Sequence, residues 1–136
     1  MIFVSGANGK FAREVISTIV SAGRGTSLAV GTRVVDSAYA RELADAGVRV
    51  RHTDFREPES VRRALAGVSK ALFIPTYDAN SERLQQNLNA IESAVAAGVQ
   101  HVVYASFLRA DNPRVEHSRL VHFPTEQAIR RSGLQF

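Results

Sequence analysis

Apolar residues follow two rhythms along this chain: short runs of four or five, and longer stretches in which they return every three or four positions. The first suits strands and the second amphipathic helices. Met1–Ser5 opens as a strand. From Gly9 to Ala22, Phe11, Val15 and Ile19, with Ala12, Ile16 and Val20, make one broad apolar face that Gly23 closes. A second strand covers Leu28–Val30 and leaves through Gly31-Thr32-Arg33, after which Asp36-Ser37 caps a helix running through Leu43 and Ala44 to Gly47. Val48, Val50 and His52 alternate as a third strand. A helix from Pro58 turns Val61 and Leu65 inward and stops at Gly67. Ala71–Ile74 is a continuous apolar run, as a central parallel strand covered on both faces requires. Pro75 breaks it. Asn80-Ser81 then caps the longest helix, with Leu84, Leu88, Ile91 and Val95 as its stripe and Gly98 as its stop. His101–Ala105 is the fifth strand, and a loop through Asp111-Asn112-Pro113 leads to a last helix over Phe123–Arg131, ended by Ser132-Gly133. Pro124 falls in its first turn, where proline is tolerated.

Strict alternation of strand and helix with short connections predicts an α/β fold: a three-layer, Rossmann-like, doubly wound parallel sheet forming one domain over residues 1–136. Right-handed crossovers and a reversal after the third strand give the order 3-2-1-4-5, with a ligand crevice at the carboxyl ends of strands one and four. Leu134-Gln135-Phe136 reads as the start of a sixth strand. Two arrangements fit: an open fifth strand, or one partly covered by this stub. An apolar edge such as Val102-Val103-Tyr104 invites pairing with another chain, so a homodimer through that edge or a sticky monomer is expected.

The chemistry starts at Ser5-Gly6-Ala7-Asn8-Gly9-Lys10-Phe11-Ala12, where the first strand turns through glycines into the first helix. Such a turn brings backbone close to a pyrophosphate and offers it the unpaired N–H groups of a helix start. The spacing is G-x-x-G-x-x-A, with Ala12 as the small residue needed for close packing. A nucleoside triphosphate loop does not fit, because Phe11 follows Gly9-Lys10 in place of Ser or Thr and Val4 stands where the first glycine should be. A bare glycine-rich turn without ligand is the competing reading.

Composition narrows the rest. There is no cysteine, so no disulfide framework and no thiolate metal site. No apolar run approaches the ~20 residues of a membrane span, and the start lacks a secretory pattern, which makes a soluble cytoplasmic protein the default. The net charge of +4 rests on scattered arginines, not on one basic face with interleaved aromatics, which argues against nucleic acid as a partner.

Several stretches together resemble the NmrA-like family of atypical short-chain dehydrogenases, and within it the type-2 NAD(P)H:quinone oxidoreductases. They are Ser5–Phe11, Arg33, Asp54-Phe55, Gly98–Leu108 and His122-Phe-Pro-Thr125-Glu126 through Gly133. The resemblance implies that Gly6, Ala7, Asn8, Gly9, Lys10 and Phe11 hold the pyrophosphate and that Arg33 meets the 2′-phosphate of NADP(H). It places Asp54 and Phe55 at the adenine, Pro75, Thr76 and Tyr77 at the nicotinamide ribose, and Ser106 near the nicotinamide. The charge at Arg33 agrees: an acid at the end of strand two repels a 2′-phosphate and an arginine attracts it, so NADP(H) is expected over NAD(H). Arg13 is either added charge or plain surface.

Catalysis is thinner. The Tyr-x-x-x-Lys pair of ordinary short-chain dehydrogenases is missing, since Leu43, Ser81 and Leu108 stand four residues after Tyr39, Tyr77 and Tyr104. The resemblance implies direct hydride transfer to a quinone or similar carbonyl acceptor, with His122 the one candidate catalytic proton donor. Family members continue through a sixth strand into a small substrate lobe, so a C-terminally truncated form is expected. The alternatives are a non-catalytic NADP(H)-sensing regulator acting through a protein partner and a scaffold without cofactor.

Overall fold

The computed structural model describes residues 1–116 and 118–136. Five strands, β1 (Ile2–Val4), β2 (Leu28–Thr32), β3 (Arg49–His52), β4 (Lys70–Phe73) and β5 (His101–Tyr104), alternate with five helices. These are α1 (Lys10–Ser21), α2 (Ala38–Asp45), α3 (Pro58–Ala64), α4 (Asn80–Ala96) and α5 (Phe123–Arg131). The sheet is parallel in the order β3-β2-β1-β4-β5, with Ile2 opposite Leu28 on one side and Lys70 on the other. The order expected from the alternation is the order found.

Successive strand residues face opposite layers. Val4, Leu28 and Val30 meet Ala12 and Ile16 of α1 and Leu43 of α2. Phe3, Ala29 and Phe73 face the other way, onto Val61 of α3, Ile91 of α4 and Ile129 of α5. There Phe73 packs edge-on against Phe3 at 6.5 Å and against Phe55 at 5.8 Å, an arrangement favoured by the ring quadrupoles.

Three expectations need correction. Ser37, not Asp36, caps α2: its Oγ accepts from the Ala40 N–H at 3.2 Å, while Asp36 lies outside the helix. At α4, Asn80 and Ser81 are already helical and Ala79 holds the cap position. The entry is fixed from within, by Gln86, whose Oε1 accepts from Thr76 Oγ1 at 2.5 Å and whose Nε2 donates to Asp78 Oδ2 at 2.8 Å. The buried face of α4 is also not the leucine stripe. Of that stripe Ile91 is buried, but Leu84 and Leu88 are half-buried and Val95 is exposed, whereas Arg83, Gln86, Asn87, Ala90, Ser93 and Ala94 face inward beside Ile91. Ala90, Ser93 and Ala94 let the helix lie close to its neighbours, and its polar residues reach backbone: Asn89 Nδ2 donates to the Phe55 carbonyl at 2.8 Å and Ser93 Oγ to that of Pro58 at 3.3 Å.

Two features surround the C-terminal segment. Residues Ser118–His122 form a π-helical turn that runs into α5. Pro124 accounts for it, since a proline cannot donate to the carbonyl four residues back and its ring clashes there, so the turn widens. The stub after Gly133 covers part of β5: Gln135 bridges in parallel to His101, and the Val102 N–H donates to the Gln135 carbonyl at 2.8 Å. Val103, beyond the stub, is half-exposed.

Candidate functional site

A crevice of about 360 Å³ opens over the carboxyl ends of the central strands, lined by the loops after β1, β2, β3 and β4 and by Gln86 of α4. This is where a doubly wound sheet takes its ligands. Its floor is the glycine turn. Gly6 has φ +69°, a conformation that a side chain disfavours. The Ala7 N–H is anchored on the Gly31 carbonyl at 2.9 Å and the Gly9 N–H on that of Gly6 at 2.8 Å. Gly9 holds the N-cap position of α1, and no side chain caps the helix, so the first-turn N–H groups are left for a ligand. The turn thus fits a phosphate: bare backbone, N–H donors and no carboxylate between them.

Not every residue of the motif faces the crevice with its side chain. Ala7 is buried beneath it, whereas the Lys10 and Phe11 side chains stand in solvent, so these two could offer only backbone. Asn8 lines the crevice and is fixed there, its Nδ2 donating to Thr32 Oγ1 at 3.0 Å, and the same oxygen accepts from the Val34 N–H at 3.1 Å. Thr32 therefore sets both the loop and the segment that carries Arg33. The Arg33 side chain lies at the rim, exposed, and among the described residues no carboxylate forms an ion pair with it. Arg13 has other work: it lies 3.9 Å over the Tyr39 ring and donates to the Asn8 carbonyl.

Asp54 and Phe55 form the far wall. The Asp54 carboxylate accepts from the Arg56 side chain at 2.5–3.1 Å and from its backbone N–H at 2.9 Å. The Arg56 side-chain hydrogen bonds hold its pKa below the ordinary aspartate value, against an opposing push from burial. Such a carboxylate stabilises the fold at and above the ~3.9 of a free aspartate, and the contribution fades as the pH falls through the depressed folded value. Asp54→Asn should therefore lose less stability than the parent on acidification. Melting curves from neutral pH down to about pH 2.5 would test this, and parallel acid limbs in the two proteins would refute it.

Pro75, Thr76 and Tyr77 close the crevice on the β4 side, with Tyr77 fully exposed. Ser106 is not among the lining residues. It sits beyond β5 in a second hollow with Glu126 and Phe136, donating to Glu126 Oε1. His122 is also outside the crevice lining, buried in the π-helical turn with Nδ1 3.0 Å from Tyr104 Oη and Phe107 stacked on its ring. Sequence reasoning missed Thr32, Asp78 and Gln86 in the wall and Arg83 and Asn87 behind it. The one available signal was the polar and small spacing 83-86-87-90-94, itself a helical stripe.

The chain matches the NmrA-like family over residues 1–135 and belongs to it. It is 31% identical over its whole length to quinone oxidoreductase 2 of Escherichia coli, covering 46% of that protein. It is 33% identical to the NAD(P)H azoreductase of Xenophilus azovorans, covering 98% of this chain and 45% of the relative. Among solved structures, triphenylmethane reductase of Citrobacter sp. complexed with NADP(H) superposes with a TM-score of 0.89 at 38% identity, covering 98% of this chain and 46% of that one. The E. coli NADPH-dependent quinone oxidoreductase complexed with NADPH gives 0.89 at 31%, with the same coverages. The chain thus spans about half the length of these relatives.

Proposed function

We propose that this member of the NmrA-like family binds NADP(H) in preference to NAD(H) and serves as the cofactor-binding domain of an oxidoreductase acting on a quinone or similar carbonyl acceptor. The observation that carries the reading is the meeting, in one crevice, of an uncapped helix start behind Gly6 and Gly9 with the rim arginine Arg33, which among the described residues forms no ion pair. Gly6 to Phe11 would hold the pyrophosphate through backbone, and Arg33 the 2′-phosphate. Asp54 and Phe55 would border the adenine, and Pro75 to Tyr77 the nicotinamide ribose. When bound, the cofactor supplies the hydride, and the chain's task is to bind and orient it. Ser106 and His122 are assigned to the nicotinamide end, His122 as proton donor. Relatives described as complexed with NADP(H) and NADPH support the cofactor, and the quinone and azo reductases among them support the class of acceptor.

A second reading, an NADP(H)-sensing regulator that acts through a partner, is favoured by the missing Tyr-x-x-x-Lys pair and by the exposed Phe107 and Leu108 beyond β5. Calorimetric titration of the chain with NADPH and NADH tests the shared premise. NADPH should bind about tenfold or more tightly than NADH, and binding of neither would overturn both readings. With NADPH bound, oxidation in the presence of a panel of quinones selects the enzyme, whereas NADPH-dependent retention of a protein partner without oxidation selects the sensor.

A further inference from the structure

Behind the crevice, polar groups of α4, β5 and α5 form a directed chain of hydrogen bonds that ends on His122. Thr125 Oγ1 lies 2.7 Å from the Val121 carbonyl oxygen, which can only accept, so the threonine proton is committed there. The Asn87 amide lies 3.3 Å from that Oγ1 and 3.0 Å from Tyr104 Oη. The amide atom facing Thr125 must therefore donate, which fixes it as Nδ2, and the same nitrogen turns its second proton toward Tyr104. Tyr104 Oη then accepts from Asn87 and still has its own proton to place. His122 Nδ1, 3.0 Å away, takes it. Burial pushes the Tyr104 hydroxyl up to about 12, so it keeps that proton at every working pH. A proton on Nδ1 would instead put two donors against the phenol oxygen and turn the phenol proton toward Thr125 Oγ1, which already accepts from Asn87. Asn87 and Thr125 are buried and Tyr104 and His122 largely so, where an unplaced donor is costly.

We propose that Tyr104 is a positioning residue that holds His122 as the neutral Nε2–H tautomer, so that the ring donates from Nε2 alone. Its use in proton donation rests on the role proposed above for His122, but the tautomer does not. The polarity is set at a backbone carbonyl and handed on through Thr125, Asn87 and Tyr104, and the Phe107 ring stacked at 6.0 Å and 28° keeps the imidazole plane in register.

The test is a two-bond ¹H–¹⁵N correlation of the histidine rings in the labelled, cofactor-free chain at neutral pH, with His122→Gln giving the assignment. The Nε2–H form of His122 should exceed the Nδ1–H form roughly tenfold or more, and a protonated Nδ1 in the parent would overturn the proposal. Tyr104→Phe should collapse that excess toward a mixture, and an unchanged pattern there would equally overturn it. Asn87→Asp offers the phenol proton a carboxylate and should leave Nδ1 protonated, and retention of the parent pattern would count against the directed chain. Because no nucleotide is present, failure here is separate from failure to bind NADPH.

Discussion

Replacing Arg33 with alanine should abolish the preference for NADPH over NADH while leaving NADH affinity nearly unchanged. The geometry makes this a clean subtraction. Arg33 sits at the rim, and among the described residues it forms no ion pair, while the buried Asp54 carboxylate that its charge reaches keeps Arg56 as its hydrogen-bonding partner. The neighbouring turn is fixed by other atoms, through Thr32 Oγ1, which takes the Asn8 amide and the Val34 N–H. In the proposed function, what disappears is a charge-assisted contact to the 2′-phosphate, worth ~1.5–3 kcal/mol, or roughly tenfold to 150-fold in the affinity ratio. Arg33→Lys should recover only part of it, since an ammonium cannot reproduce the two-pronged guanidinium contact. Titration of parent and variants with both nucleotides reads the effect directly. An unchanged ratio would reduce Arg33 to surface charge, and an equal loss for both nucleotides would place it on a part of the cofactor that they share.

The features that were legible in the sequence are those set by local residue type. The glycine turn follows from Gly6, which admits the positive φ the turn requires, and the strand order follows from alternation and chirality. What was hidden depends on partners far along the chain. Asn87 finds Tyr104 17 residues away and Thr125 38 residues away, and no window on the sequence joins them. The inner face of α4 misled for the same reason. Leu84, Leu88 and Val95 have the composition of a core stripe, but the sheet side of that helix belongs to Ile91, to small residues and to the polar groups that tie it to loops after β3 and β4. The side of β5 on which Ser106 lies is likewise a three-dimensional fact, fixed by the path of the chain after Tyr104.

Gly31 should prove less replaceable than the glycines of the motif itself. A Cβ built on Gly6 meets nothing within 4 Å, so Gly6→Ala carries only the strain of its positive φ, about 1 kcal/mol. A Cβ on Gly31 would lie 2.6 Å from Phe3 Cζ and 2.9 Å from Thr53 Oγ1. Neither can step aside cheaply, because Phe3 is fully buried against Phe73, itself held by Phe55, and Thr53 is buried at the end of the neighbouring strand. Overpacking of this kind costs about 1–3 kcal/mol, which in a domain of this size lowers the melting temperature by roughly 3–12 °C. Function should fall with it, since the Gly31 carbonyl anchors the Ala7 N–H and any shift of β2 moves the glycine turn proposed to hold the pyrophosphate. Pairing Gly31→Ala with Phe3→Leu makes room for the added methyl, so the double variant should be more stable than the sum of the two single losses. Melts of the four proteins decide the matter: strict additivity, or a Gly31→Ala protein that melts with the parent, would mean that the contact with Phe3 does not govern this position.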